Sequence, residues 1–256
     1  MLEKYLIRSL VPILLLTGAI TSNSAYGSLV FEGPASGKGA GIGASNIVLT
    51  IQAKPSEQGC VSWDGTADVI GSGACPGGLS PAITGGDEKT GSSQTQTRTV
   101  GVSGVLSASS LVIIMNLNIP GSGGGIMINN VSLTIFSPTG SVLFNSGDVT
   151  GSPVTVSSLT GGQGNLGIAF QLDSTEAAAA NPFICTSGVG CSAANANNRF
   201  GLAASLSNTA GANDDLAIAD TSVVTVIPEP GTIVTFGAGL LALGIARWLR
   251  RARGAS

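Results

Sequence analysis

Residues 126–145 read IMINNVSLTIFSPTGSVLFN. Apolar and polar side chains alternate along much of Ile126–Phe136, the period of two expected of a half-buried strand, and Ser141–Asn145 has strand chemistry as well. Between them stands Ser137-Pro138-Thr139-Gly140, where proline presets one turn dihedral and glycine accepts the one that side chains resist. Residues 129–145 therefore predict a β-hairpin. Comparable segments occur at Asn46–Ala53, Thr95–Ser103, Leu111–Ile119, Pro153–Ser157, Gly167–Leu172, Phe200–Leu206 and Thr221–Ile227. Strands joined by short turns bury their apolar faces by stacking two sheets, so the expected fold is all-β and sandwich-like.

One segment breaks the pattern. Asp173-Ser174-Thr175-Glu176 followed by four alanines has the chemistry of a capped helix start. Asn181-Pro182 is expected to stop that helix after about ten residues. Residues 37–43 and 121–125 are glycine-rich and read as flexible loops, and residues 76–96 as a long polar surface loop.

Outward from this middle the composition changes. Residues 28–227 form a polar stretch of 200 residues without an apolar run long enough to cross a bilayer, which suits one β-rich domain with a sizeable core. It carries five basic and twelve acidic side chains, a balance of −7. Such a surface repels nucleic acid and anionic lipid. Residues 1–27 have the three parts of a secretory signal: Lys4 and Arg8, an apolar stretch from Leu10 to Ile20, then small and polar residues with cleavage expected after Gly27. The export machinery of the Sec type and signal peptidase are the partners this implies.

The other end is also apolar. Gly231–Leu249 spans 19 residues. As a helix it would be ~28 Å long, enough to cross the hydrocarbon layer. Trp248 stands where an interfacial aromatic belongs, and Arg247, Arg250, Arg251 and Arg253 place this end in the cytoplasm and the large domain outside. Immediately before it, Ile227-Pro228-Glu229-Pro230 is stiff and extended, because the prolines disfavour helix on their N-terminal side.

A Pro-Glu-Pro tripeptide, a glycine-rich apolar span and a terminal arginine cluster, in that order, resemble the PEP-CTERM sorting signal. The resemblance covers Ile227 to about Arg253. It implies processing by an exosortase, a membrane-embedded cysteine enzyme of Gram-negative bacteria that make exopolysaccharide. Pro228, Glu229 and Pro230 would be its recognition residues, features of a substrate and not catalytic groups. The implied route is an inner-membrane-anchored precursor that reaches the cell surface or the extracellular matrix.

The exported part holds four cysteines, Cys60, Cys75, Cys185 and Cys191. Three pairings are possible. Proximity favours Cys60–Cys75 and Cys185–Cys191, in keeping with an oxidising compartment. A metal site is the competing reading, against which stand the lack of histidine and of a C-x-x-C pair.

The absence of histidine also excludes Ser-His and Cys-His catalysis. Paired carboxylates could still hydrolyse a glycoside, and Asp64 with Asp68 or Asp214 with Asp215 are the closest such pairs. Asp214, Asp215 and Asp220 could offer calcium oxygens from one loop. Trp63 and Tyr26 are the Trp and Tyr candidates before the final helix for stacking on sugars, and Tyr26 leaves with the signal, as does Tyr5. Gly37-Lys38-Gly39 lacks the ending of a phosphate loop.

These readings converge on a non-enzymatic surface or matrix protein, structural or adhesive in the envelope or exopolysaccharide, with no cofactor and no metal. The alternatives are a secreted carbohydrate-active enzyme using paired carboxylates and a calcium-dependent glycan-binding module.

Overall fold

The computed structural model describes residues 29–37, 46–91, 93–118, 125–156, 167–188 and 191–226. The signal segment, the apolar C-terminal span with its arginine cluster and Pro228, Glu229 and Pro230 lie outside the described residues. Among the described residues no helix is long and apolar enough to cross a membrane.

Two antiparallel sheets account for the described strands. The six-stranded sheet has the order β13 (Val224–Val226), β1 (Leu29–Gly37), β10 (Gly167–Leu172), β6 (Leu111–Asn116), β12 (Asp214–Asp220), β2 (Asn46–Ile51). The other runs β4 (Asp68–Ile70), β3 (Ser56–Trp63), β11 (Arg199–Ser207), β7 (Ile126–Phe136), β8 (Val142–Asn145), with β5 (Arg98–Thr99) pairing β11 and β9 (Val154–Val156) pairing β7. The expected hairpin is present as β7 and β8, joined by the Ser137–Gly140 turn.

Alternation explains the core. Leu111, Ile113 and Met115 from β6, Ile168 and Phe170 from β10, and Leu216 and Ile218 from β12 belong to one buried cluster with Phe200, Leu202, Ala204 and Leu206 from β11. In β7 the core residues are Ile126 and Ile128, then Val131, Leu133 and Ile135. The change of phase falls at a register shift opposite Ser205 and Leu206, where a bulge puts one extra residue into β7. The extra residue is Asn129, and its neighbour Asn130 is fully buried and satisfied: its Oδ1 accepts from Val131 N and Val149 N, and its Nδ2 donates to Asp148 Oδ1.

Four strands went unread in the sequence: β1, β3, β4 and β12. Two expected strands are shorter than their composition suggests. Thr95–Ser103 yields only β5 before a helical turn, α1 (Val100–Ser103), opened by Thr99 as N-cap and closed by Gly104 in the left-handed region. Thr221–Ile227 begins with a 3₁₀ turn, capped by Asp220, before β13.

The expected helix is α2 (Ser174–Ile184), and Asp173 Oδ1 accepts from Thr175 N and Glu176 N as its cap. It runs past Asn181-Pro182 rather than stopping there. Proline removes one internal hydrogen bond, but the last turn is closed by Cys185 N donating to Asn181 O, and amides of Asn195 and Asn198 donate to the carbonyls of Pro182, Cys185 and Phe183.

The polar loop after β4 is stitched down along its length. Asp87, Glu88 and Lys89 lie between the sheets at the edge of β2: Gln52 N donates to Asp87 O and Lys89 N to Thr50 O, while Asp87 Oδ2 and Glu88 Oε1 accept from Gln58 N and Cys60 N of β3. This covers an edge that would otherwise present unpaired backbone. Leu79 and Ile83 from the same loop pack with Ala74, Cys60 and Ala203 in a separate apolar cluster, so the loop has core contacts that its composition did not suggest.

Both disulfides favoured by proximity are present, Cys60–Cys75 and Cys185–Cys191, and no free cysteine remains. The first closes a loop of fifteen residues and fixes the stretch that covers β3. Replacing Cys60 and Cys75 together by alanine should cost about 3 kcal/mol, or roughly 6–12 °C in melting temperature for a domain of this size. Opening the six-residue Cys185–Cys191 loop should cost less. Thermal melts of the two double variants test that order.

Candidate functional site

The turn in the β7–β8 hairpin does more than reverse the chain. Gly140 has φ +88°, and a Cβ placed there would lie 2.3 Å from the Asp64 carbonyl carbon. Gly65, in the facing turn between β3 and β4, has φ +101°, and its Cβ would lie 2.6 Å from Thr139 O. The two turns therefore interlock at positions where only glycine fits. Trp63 Nε1 donates to Pro138 O at 2.9 Å across the same contact.

This docking brings the end of the hairpin beside the disulfide-pinned loop and leaves a niche of about 350 Å³ between them. Ser62, Thr134 and Asn145 supply its polar lining, Phe136, Val142, Cys75 and Pro76 its apolar lining, and no charged side chain borders it. Asn145 is held in place: its Nδ2 donates to Thr134 Oγ1 at 2.7 Å and its Oδ1 accepts from Gly147 N at 2.8 Å. Val142 is 62% exposed at the rim. The volume lies at the lower end of the ~300–1,000 Å³ usual for small-molecule sites.

The acidic pairs suggested by sequence are spread apart in their roles. Asp64 Oδ1 accepts from Thr66 N, Thr66 Oγ1 and Ala67 N, which organises the β3–β4 turn. Those donors, the Ala67 N–H first, hold its carboxyl below the ordinary range. Asp68 Oδ1 instead accepts from Thr97 N, 3.0 Å, and lies 3.9 Å from Arg199. Arg199 in turn covers the Trp63 ring at 3.9 Å from its centroid and donates from Nε to Thr97 Oγ1. One face of the single tryptophan among the described residues is thus occupied by a guanidinium.

Asp214, Asp215 and Asp220 lie in a strand and not in one loop. Adjacent residues of a strand point to opposite faces, so Asp214 and Asp215 diverge. Asp215 Oδ1 accepts from Thr50 Oγ1 at 2.7 Å, whereas Asp214 is buried. Asp220, six residues along β12, stands ~20 Å away and accepts from Ser110 Oγ and Ser222 N. Burial acts to raise its pKa, but those hydrogen bonds outweigh it and leave it low. Among the described residues no group of three or more acidic, histidine or cysteine side chains is arranged to hold a metal.

The structure makes a different pair of acids. Asp214 meets Glu57, the second residue of β3, which sequence proximity could not have linked. Burial first, then the hydrogen bond and charge of Asp214, push Glu57 up to about 9. Both side chains are sealed from solvent, so neither can reach a polysaccharide.

No curated protein and no solved structure matches the chain. The family model of the PEP-CTERM protein-sorting motif does match, over residues 226–251, and the chain therefore carries the sorting signal of an exported protein processed by an exosortase.

Proposed function

We propose that the domain delivered by this tail is a non-catalytic module of the envelope or extracellular matrix, structural or adhesive in the exopolysaccharide. The observation that carries the reading is the sorting motif at residues 226–251. Supporting it is the use of the candidate carboxylates, each engaged in holding a turn, a loop or a strand end.

In this reading a signal peptide is removed after Gly27, the span from Gly231 to Leu249 holds the precursor in the inner membrane, and the arginines from Arg247 onward stay inside. Pro228, Glu229 and Pro230 stand at the outer membrane face for the exosortase. The niche beside Cys75 is the place where the module touches a neutral sugar unit: hydroxyl and amide groups suit sugar hydroxyls, apolar walls suit the C–H face of a ring, and an uncharged lining suits an uncharged ligand.

Mass spectrometry of the mature protein should find its N-terminus near Ser28 and its C-terminus between Pro228 and Gly231. An intact arginine-rich end recovered from the cell membrane would mean a plain anchor instead.

For the niche, Gly77 offers a clean probe, since a Cβ there meets nothing within 4 Å and its backbone is not in the left-handed region. Gly77→Trp should plug the niche and weaken retention on neutral exopolysaccharide about tenfold, ~1.4 kcal/mol, with the melting temperature unchanged. Equal retention of both proteins would remove the niche from the account while leaving the sorting route intact.

A further inference from the structure

One acid from each sheet enters the core at the same end of the sandwich. Glu57 belongs to β3 and is 0% exposed, and Asp214 opens β12 and is 1% exposed. Each has one oxygen engaged by backbone: Glu57 Oε2 accepts from Ala53 N at 2.9 Å, and Asp214 Oδ1 accepts from Asn118 N at 2.5 Å. The two oxygens left, Glu57 Oε1 and Asp214 Oδ2, meet no N–H or O–H donor. Buried polar atoms are almost always paired, so two orphans on adjoining side chains need one explanation.

Two ionised carboxylates could not remain together here, because burial disfavours each charge and their repulsion is little screened. One proton resolves both orphans, since a protonated carboxyl donates and an ionised one accepts. A calcium ion fits less well. It takes 6–8 oxygens, and the two acids have one unengaged oxygen each.

We propose that Glu57 and Asp214 share a single proton and so form a clasp between the two sheets, closed in acid and weakened in alkali. The clasp holds the β2–β3 turn through Ala53 and the exit of β6 through Asn118. Glu57 carries the proton. Asp214 is also raised by burial, but the hydrogen bonds from Glu57 and Asn118 N draw it back, as befits the accepting partner.

The surroundings favour retention of that proton. Asp87 raises Glu57 further, and Asp215 raises Asp214. Glu88, on the same loop as Asp87, is committed to Cys60 N and Gly86 N. Lys54 and Lys89 flank the region, but the one salt bridge among the described residues is Arg199–Asp68, on another part of the molecule.

The direction of the pH effect follows. An unfolded glutamate titrates near 4.5, and folded Glu57 near 9. Between those values the folded chain keeps a proton that the unfolded chain has lost, so its stability is full below about 4.5 and falls as pH rises toward 9. The loss is at most tenfold in the folding equilibrium per pH unit, or roughly 3–5 °C in melting temperature. Asp64 and Asp220 are shifted downward and act only in stronger acid, outside this window.

The experiment is a series of thermal melts of the full-length protein in detergent from about pH 5 to 9.5, comparing the natural sequence with Glu57→Gln. Glutamine donates an N–H to Asp214 at every pH. The natural protein should lose stability steadily across the series, whereas the variant should follow a flatter profile and be the more stable of the two at the alkaline end. Parallel slopes would overturn the proposal. Should the variant fail to fold, infrared spectra of the natural protein at neutral pH decide it: a protonated-carboxyl band supports the clasp and its absence refutes it. A melting temperature that falls on chelation and returns with calcium would put a cation between the acids and also overturn it.

Discussion

The fold depends on keeping water out from between two apolar sheet faces whose strands come from distant parts of the chain. β6, β10 and β12 face β7 and β11 across that interior, and Phe170 and Phe200 fill it without exposure. None of these strands is stable alone, because a lone pair of strands buries too little surface in water. The six-stranded sheet also buries apolar residues on its other face, where Ala35, Val112, Ile114, Ala169, Ala219 and Val224 form a second cluster. Near-continuous apolar strands such as Leu111–Met115 follow from a sheet covered on both sides.

Within such a frame the acidic surplus has a structural meaning. Among the described acids, Glu57, Asp64, Asp68, Asp87, Glu88, Asp148, Asp173, Asp214 and Asp220 each accept at least one backbone N–H. They satisfy donors that loops, caps and strand ends leave over, and where the acceptor is ionised, as it is not at Glu57, the charge makes those bonds stronger than a neutral acceptor would. Carboxylates used in this way need no cationic partner, which accounts for a domain with twelve acids and five bases holding a single salt bridge among its described residues. Of the acids close in sequence, Asp64, Asp68 and Asp214 are turned toward backbone N–H groups and Asp215 toward the Thr50 hydroxyl.

What could be read in advance was the local part of this. β7 and its hairpin, β10, the cap of α2 and both disulfides lie in short stretches whose chemistry is complete in itself. β3 escaped because its core-facing positions are Glu57, Gly59 and Val61, an acid and a glycine where a strand normally shows branched residues. The glycine is required by β2 in the other sheet, since a Cβ there would lie 2.2 Å from Ile51 Cγ2. β12 escaped because DDLAIAD combines acids and alanines, and only its pairing with β6 and β2 makes it a strand of the sheet. The Glu57–Asp214 contact and the niche beside Cys75 are both products of such long-range packing. No spacing in the sequence encodes them.

The boundary between fold and tail has its own logic. β13 is an edge strand, pairing Val224, Thr225 and Val226 with Gly37, Ser36 and Ala35 of β1. The sorting motif begins at residue 226, where that ladder gives its last pair. Pro228 and Pro230 follow at once, and neither has an N–H with which to extend a strand. Every described pair of β13 with β1 lies within Val224–Val226, on the N-terminal side of these prolines.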